Sequence, residues 1–242
     1  MTDLKESRIQ KRFNKCISKD IHMNESESLR KWPLLPPVVF IRIVIQKILF
    51  LLMRTFQPFK VEGRENLQLH SPVIFIANHM SHLDTPSLLK CLPLTVRKKI
   101  VVAAAADYFF KNWLIAFVTR LLFNTFPIER NGQIRKNFFL INKFLERGWS
   151  ILVYPEGTRS QTGKIQPFKN GIGILAQLAK IPIVPLKISG TFDILPKGCL
   201  LPRKGRTEIR IEKPIRFEAG LSYIQITKQL ELYYQTLDGQ SV

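Results

Sequence analysis

Hydrophobic and polar positions change rhythm twice along this chain. Residues 1–32 are rich in Lys, Arg, Ser, Asn and Glu and carry no sustained apolar period. After Trp32-Pro33 the composition turns abruptly apolar, and the stretch from Leu34 to Arg54 is the most hydrophobic window in the sequence. At 100° per residue, Arg42, Gln46, Lys47 and Arg54 fall within one face about 140° wide, while Ile and Leu cover most of the remainder. From Val61 onward short apolar runs alternate with longer stretches of helical period. Strands are expected at Val73 to Ala77, Ile100 to Ala104, Ile151 to Tyr154, Ile181 to Ile188 and Thr207 to Ile211. Helices are expected around 85–91, 107–123, 133–147, 170–180 and 221–237, with Gly148 closing the third. Such alternation predicts an α/β fold, a largely parallel central sheet covered by helices.

The apolar window admits three readings. A membrane-spanning helix needs about 20 mostly apolar residues, and Arg42, Gln46 and Lys47 would each be costly at its middle. A core helix is the second possibility. The spacing favours the third, an amphipathic helix lying in a membrane interface with its cationic side toward lipid phosphates. Prolines 33, 36 and 37 would start or bend that helix without crossing its middle. The organisation expected is therefore a polar basic tail over 1–32, a membrane-interface segment over 33–60 and one domain over 61–242.

Composition narrows the partners. The chain has 242 residues and a formal net charge of +19, with a pI near 10.1, so it attracts anions such as nucleic acid, anionic headgroups or phosphorylated small molecules. Its basic residues are dispersed among the tail, Arg97-Lys98-Lys99 and the C-terminal third, and no nucleic-acid-binding motif accompanies them. No specific nucleic acid is expected. Cys16, Cys91 and Cys199 are odd in number and far apart, which argues against a disulfide framework or a structural zinc site. The polar start lacks a secretory leader pattern, so a cytosol-facing location fits best.

Candidate chemistry begins where the run Pro72 to Ala77 ends, at Asn78-His79-Met80-Ser81-His82-Leu83-Asp84. An imidazole oriented by a carboxylate can take a proton from a hydroxyl near neutral pH. Ser81 and Asp84 also read as a capped helix start, and locally neither interpretation excludes the other. Three further blocks follow. Phe126 to Asn131 precedes a helix, so Arg130 is a candidate phosphate ligand beside an N-terminus. Tyr154-Pro155-Glu156-Gly157-Thr158-Arg159-Ser160 leaves a strand at the edge where open α/β sheets bind ligands. Ile183-Val184-Pro185-Leu186 closes another strand, with Ser189-Gly190-Thr191 turning away. Each block alone also reads as surface arginine, ion-pair partner or glycine turn.

In this order and spacing the four blocks resemble the glycerolipid acyltransferase family, in particular its lysophosphatidate acyltransferases, over about residues 60–216. The family's His-x4-Asp block matches His79 and Asp84, its arginine block Arg130, its Pro-Glu-Gly-Thr-Arg block Pro155 through Arg159, and its last block Pro185. The resemblance implies an acyltransferase domain over 61–242, a thioester donor (acyl-CoA or acyl-ACP) and no resident cofactor or metal. It implies His79 as general base oriented by Asp84, with Arg130, Glu156, Gly157, Thr158 and Arg159 binding the substrate. The product would be phosphatidate, made at the cytoplasmic face of a membrane whose anionic lipids are partners. No Gly-x-Ser-x-Gly elbow or Cys nucleophile is evident, so direct transfer without an acyl-enzyme is expected. Two departures stand out: Tyr154 replaces the usual Phe, and Ala103 to Phe110 replaces a lysine-bearing stretch. The second keeps another lysophospholipid or a lyso-aminolipid open as acceptor, and a non-catalytic binding module is the competing class.

Overall fold

A computed structural model describes residues 36–68, 72–130, 134–218 and 220–239; the expected tail over 1–32 lies outside the described residues. The chain runs α1 (Pro36–Phe56), β1 (Phe59–Glu62), a 3-10 turn (Arg64–Leu67), β2 (Ile74–Ala77), α2 (Asp84–Cys91), α3 (Leu94–Arg97) and β3 (Ile100–Ala105). It continues through α4 (Ala106–Phe109), α5 (Trp113–Phe123), β4 (Thr125–Ile128), α6 (Ile134–Glu146), β5 (Ser150–Val153) and α7 (Gly171–Ala179). The last elements are β6 (Ile183–Ser189), α8 (Thr191–Ile194), β7 (Thr207–Ile211) and α9 (Tyr223–Gly239).

The strands form one seven-stranded sheet ordered β1-β7-β6-β2-β5-β3-β4. Pairing is parallel everywhere except between β6 and β7. The central strands β2 and β5 are buried at every position, which is why they read as continuous apolar runs. Alternate residues serve opposite faces. Ile74, Ile76, Ile151 and Ile183 pack with α6, α7 and α9 through Phe144, Leu175, Leu230 and Tyr234. Phe75, Leu152, Val184 and Leu186 pack with α1 and α2 through Phe50, Met53, Leu88 and Leu89.

Two strands escaped the pattern. Phe59–Glu62 and Thr125–Ile128 are four-residue edge strands, too short to establish a period. Pro127 inside β4 is tolerated because an edge strand has one unpaired side. The expected helix over 107–123 is divided, since Asn112 restarts it by accepting from the N–H groups of Leu114 and Ile115 at 2.9 and 3.3 Å.

Helix α1 corrects one expectation outright. Arg42 and Gln46 do not face outward; both are buried. Arg42 donates to the carbonyls of Leu121 (2.9 Å) and Arg120 (3.1 Å) and to Asn124 Oδ1 (3.1 Å). Gln46 donates to the Leu122 carbonyl at 2.6 Å. These bonds satisfy the orphan carbonyls at the C-terminus of α5, and the guanidinium also complements the negative end of that helix. Burial lowers the Arg42 pKa to about 10, which still leaves it charged near neutrality. Outward instead point Phe40, Ile41, Val44, Ile48, Leu51 and Leu52, with Lys47 and Arg54 beside them. Trp113, Leu114, Ile115, Phe117 and Val118 extend the exposed apolar surface onto α5. No helix among the described residues is long and apolar enough to cross a membrane.

Candidate active site

The site lies past the C-terminal end of β2. Asn78 fixes this exit, donating from Nδ2 to the Ile188 carbonyl at 2.8 Å and accepting the Ile188 N–H at 2.9 Å. The chain then turns so that His79 Nδ1 meets Asp84 Oδ2 at 2.8 Å, at the start of α2. Oδ2 also accepts the N–H groups of Met80 (2.6 Å) and Ser81 (2.8 Å), while Oδ1 accepts the Thr191 hydroxyl at 2.6 Å. Asp84 thus binds the turn before α2 and orients the base, but it caps no N–H of the helix it begins, whose N-cap, Leu83, has no side-chain cap. A carboxylate only accepts, so Nδ1 carries a hydrogen, and in the neutral imidazole the lone pair is then on Nε2. The Asp84 side chain is fully buried, and that of His79 is 17% exposed.

The segment leaving β5 holds His79 from the other side. Glu156 is buried, its Oε1 accepting the His79 N–H at 2.6 Å and Oε2 the Gln166 N–H at 2.8 Å. The Ser160 N–H donates to the His79 carbonyl at 2.8 Å. Glu156 thus serves the backbone of the base and, buried, is absent from the lining of the neighbouring cavity. Burial pushes its carboxyl up to about 7, against the opposing pull of the two N–H donors. Gly157 makes the turn with φ +72, and its N–H donates to the Tyr154 carbonyl at 3.0 Å. Tyr154 stacks on the His79 ring, centroids 4.0 Å apart and 17° between planes, and its hydroxyl pairs with Thr85 Oγ1 at 2.8 Å.

A cavity of about 340 Å³ opens beside His79. Val102, Ala104, Phe123, Ile128 and Val153 give it an apolar interior. His82, Tyr108, Arg130, Thr158, Arg159 and Lys197 supply polar and charged lining. Arg130 donates Nε to Asp107 Oδ1 at 2.9 Å, pairs through Nη2 with Oδ2, and gives Nη1 to the Gly157 carbonyl at 3.2 Å. The fork expected for phosphate is occupied by a carboxylate, and that ion pair holds the Asp107 carboxyl below its ordinary range. Arg159 lies over the Tyr108 ring, 5.8 Å from its centroid, and reaches its hydroxyl at 3.4 Å. Pro185 sits inside β6 opposite Ile76 and does not line the cavity.

The structure thus gathers His79, Arg130, Gly157, Thr158 and Arg159 around one cavity and places Asp84 and Glu156, both buried, behind it. Sequence reasoning missed Thr191, Asp107 and Lys197. Thr191 lies 107 positions from Asp84, a distance at which spacing carries no signal. Asp107 was visible as the one acid in the alanine-rich departure.

The Acyltransferase family profile matches residues 58–189. The 1-acyl-sn-glycerol-3-phosphate acyltransferase of Saccharomyces cerevisiae is 34% identical over 176 residues, covering 66% of this chain and 52% of the relative. The corresponding alpha enzyme of Bos taurus is 28% identical over 167 residues, covering 66% of this chain and 54% of the relative. The chain spans about half the length of these curated relatives. In fold it is similar to the crystal structure of the 1-acyl-sn-glycerophosphate acyltransferase PlsC from Thermotoga maritima. That similarity has a TM-score of 0.63 at 21% identity and covers 95% of this chain and 89% of that one.

Proposed function

The chain belongs to the acyltransferase family, and on that premise we propose that it moves a fatty acyl group from acyl-CoA or acyl-ACP to the free hydroxyl of 1-acylglycerol-3-phosphate, giving phosphatidate. The observation that carries this is the His79–Asp84 pair: an imidazole with its hydrogen fixed on Nδ1, on a ring lining a cavity with an apolar interior. His79 Nε2 takes the hydroxyl proton as the acceptor oxygen attacks the thioester carbonyl. The new C–O bond forms, the C–S bond breaks, and the imidazolium returns its proton to the departing thiolate. Asp84 stabilises that imidazolium without itself becoming protonated. The apolar interior suits an acyl chain, and Arg159, Lys197 and Arg130 suit a phosphate. The names of the relatives support the acceptor.

The outward apolar surface of α1 and α5 supports a site of action at a membrane, where a lysolipid acceptor resides, and the net charge favours anionic lipid, as at a cytoplasmic face. One observation favours a different acceptor: Asp107 neutralises Arg130 at the rim and would attract an amine, as in a lyso-aminolipid. The deciding experiment offers the purified protein lysophosphatidate and zwitterionic lysolipids, each with acyl-CoA and with acyl-ACP. Lysophosphatidate is expected to be preferred. His79→Ala should fold normally and lose about 10²–10⁴-fold in rate; retained activity in that variant would remove the base assignment.

A further inference from the structure

The segment between α8 and β7 carries a feature the acyl transfer does not use. Leu200 and Leu201 are adjacent and 93% and 83% exposed. Isolated surface leucines are ordinary, but two neighbours at this exposure form an apolar tip. On its shoulders stand Lys197, Arg203 and Lys204, all exposed, and no acidic residue occurs between Ile194 and Thr207. The neck below the tip is held shut. The Arg203 N–H donates to the Ile194 carbonyl at 2.8 Å, and the Gly205 N–H to the Phe56 carbonyl at 3.1 Å. A Cβ at position 205 would come within 2.7 Å of the Ile194 side chain, so the glycine is what lets the neck close. Within the loop the Cys199 N–H bonds the Pro196 carbonyl at 3.2 Å.

We propose that residues 196–204 form a second membrane-contact element, which inserts Leu200 and Leu201 into the surface of an anionic bilayer while Arg203 and Lys204 meet its phosphates. The inference rests on the reading that α1 faces a membrane. Charge complementarity selects the occupant, since an apolar tip with cationic shoulders matches the boundary between acyl chains and anionic headgroups. Continuity supports it. The neck is bonded to Phe56, the last residue of α1, so the tip continues from the end of the stripe that includes Leu51 and Leu52. At its other end Lys197 lines the catalytic cavity. The loop therefore joins the lipid-facing helix to the cavity mouth, where a lysolipid leaving the bilayer would enter.

Flotation of the full chain with phosphatidylcholine vesicles, with and without phosphatidylglycerol, tests this. Three double variants are compared: Leu200→Ser with Leu201→Ser, Arg203→Gln with Lys204→Gln, and Ile48→Ser with Leu51→Ser on α1. The Arg203/Lys204 variant should lose on the order of 25-fold in binding to anionic vesicles, since each of its two basic residues contributes about fivefold near such a surface. The Leu200/Leu201 variant should lose on the order of tenfold or more, through the apolar surface it no longer buries. The Arg203/Lys204 variant should also show a shallower salt dependence. All three should retain turnover of a short-chain, monodisperse acceptor. Loop variants that bind like the parent while the α1 variant detaches would overturn the loop proposal and leave the α1 reading standing. A parent chain that binds no vesicles would overturn both. A polarity-sensitive dye on the exposed Cys199, in a Cys16→Ser background, should shift to the blue on anionic vesicles; an unshifted spectrum counts against insertion.

Discussion

At the His79 end of the cavity, both oxygens of Asp84 and both of Glu156 accept hydrogen bonds, and both residues are buried. At the rim, Arg130 and Asp107 hold one another with side chains 37% and 48% exposed, and Arg159 rests on the half-exposed Tyr108. A buried acceptor that loses a donor has no water to replace it, whereas an exposed pair exchanges partners with solvent at little cost. Fixed geometry is thus concentrated where a proton must move, and adjustable charge where ligands of differing shape must enter.

Glu156→Gln tests the rigid end most severely. An amide offers one acceptor oxygen, so one of the two N–H donors from His79 and Gln166 would face an NH₂ group. A loss of about 1–3 kcal/mol in stability is expected, with a fall in kcat as the His79 backbone shifts. The wild-type carboxyl also predicts a pH signature. Its folded value, about 7, exceeds its ordinary 4.5, so between those limits the folded state binds more protons than the unfolded state. Stability from this group is then greatest below about 4.5 and declines as pH rises toward 7. Thermal melts across that range should show the decline in the wild type and a flatter profile in Glu156→Gln. Matching slopes would mean that Glu156 is not the titrating group.

Thr191→Val should cost less and act on chemistry. It removes one donor from Asp84 while preserving shape, leaving the bonds from His79, Met80 and Ser81. A hydrogen bond to a charged group contributes about 1.5–3 kcal/mol, and with three partners left on Asp84 the lower end applies, so a drop in kcat of about tenfold is expected, with the acceptor KM unchanged. Unaltered kcat in a folded variant would show that the three remaining donors suffice.

The same division governs what the chain disclosed before folding. His79, Asp84 and the Pro155–Arg159 block were legible because each sits where an apolar strand run stops, and strand ends of a parallel sheet converge on one edge. Thr191 was not, because its approach to Asp84 depends on β6 lying beside β2. The orientation of Glu156 was hidden for a related reason: a turn motif places a residue at an edge without saying which way its side chain points. In α1 the periodicity grouped Arg42, Gln46, Lys47 and Arg54 on one face, but only Arg42 and Gln46 turn inward, because periodicity is silent about which positions meet solvent. Here the carbonyls ending α5 supplied polar partners inside the protein, and the apolar face turned outward.

The smallest effect is expected at the rim, from Asp107→Asn. The substitution leaves Arg130 able to donate to the amide oxygen and to the Gly157 carbonyl, but removes the negative charge beside the cavity mouth. An anionic acceptor then meets less repulsion and an Arg130 fork that is easier to capture. Exposed ion pairs are worth about 0–1 kcal/mol, so the KM for lysophosphatidate should fall by about two- to threefold while kcat stays constant. A zwitterionic lysolipid should respond in the opposite sense, because its amine loses the carboxylate that would attract it. Steady-state kinetics with the two acceptors side by side therefore reads the preference of the rim directly. If KM for both acceptors moved together, Asp107 would only be fixing the position of Arg130, and the contrast between a rigid base and an adjustable rim would fail at its weaker end.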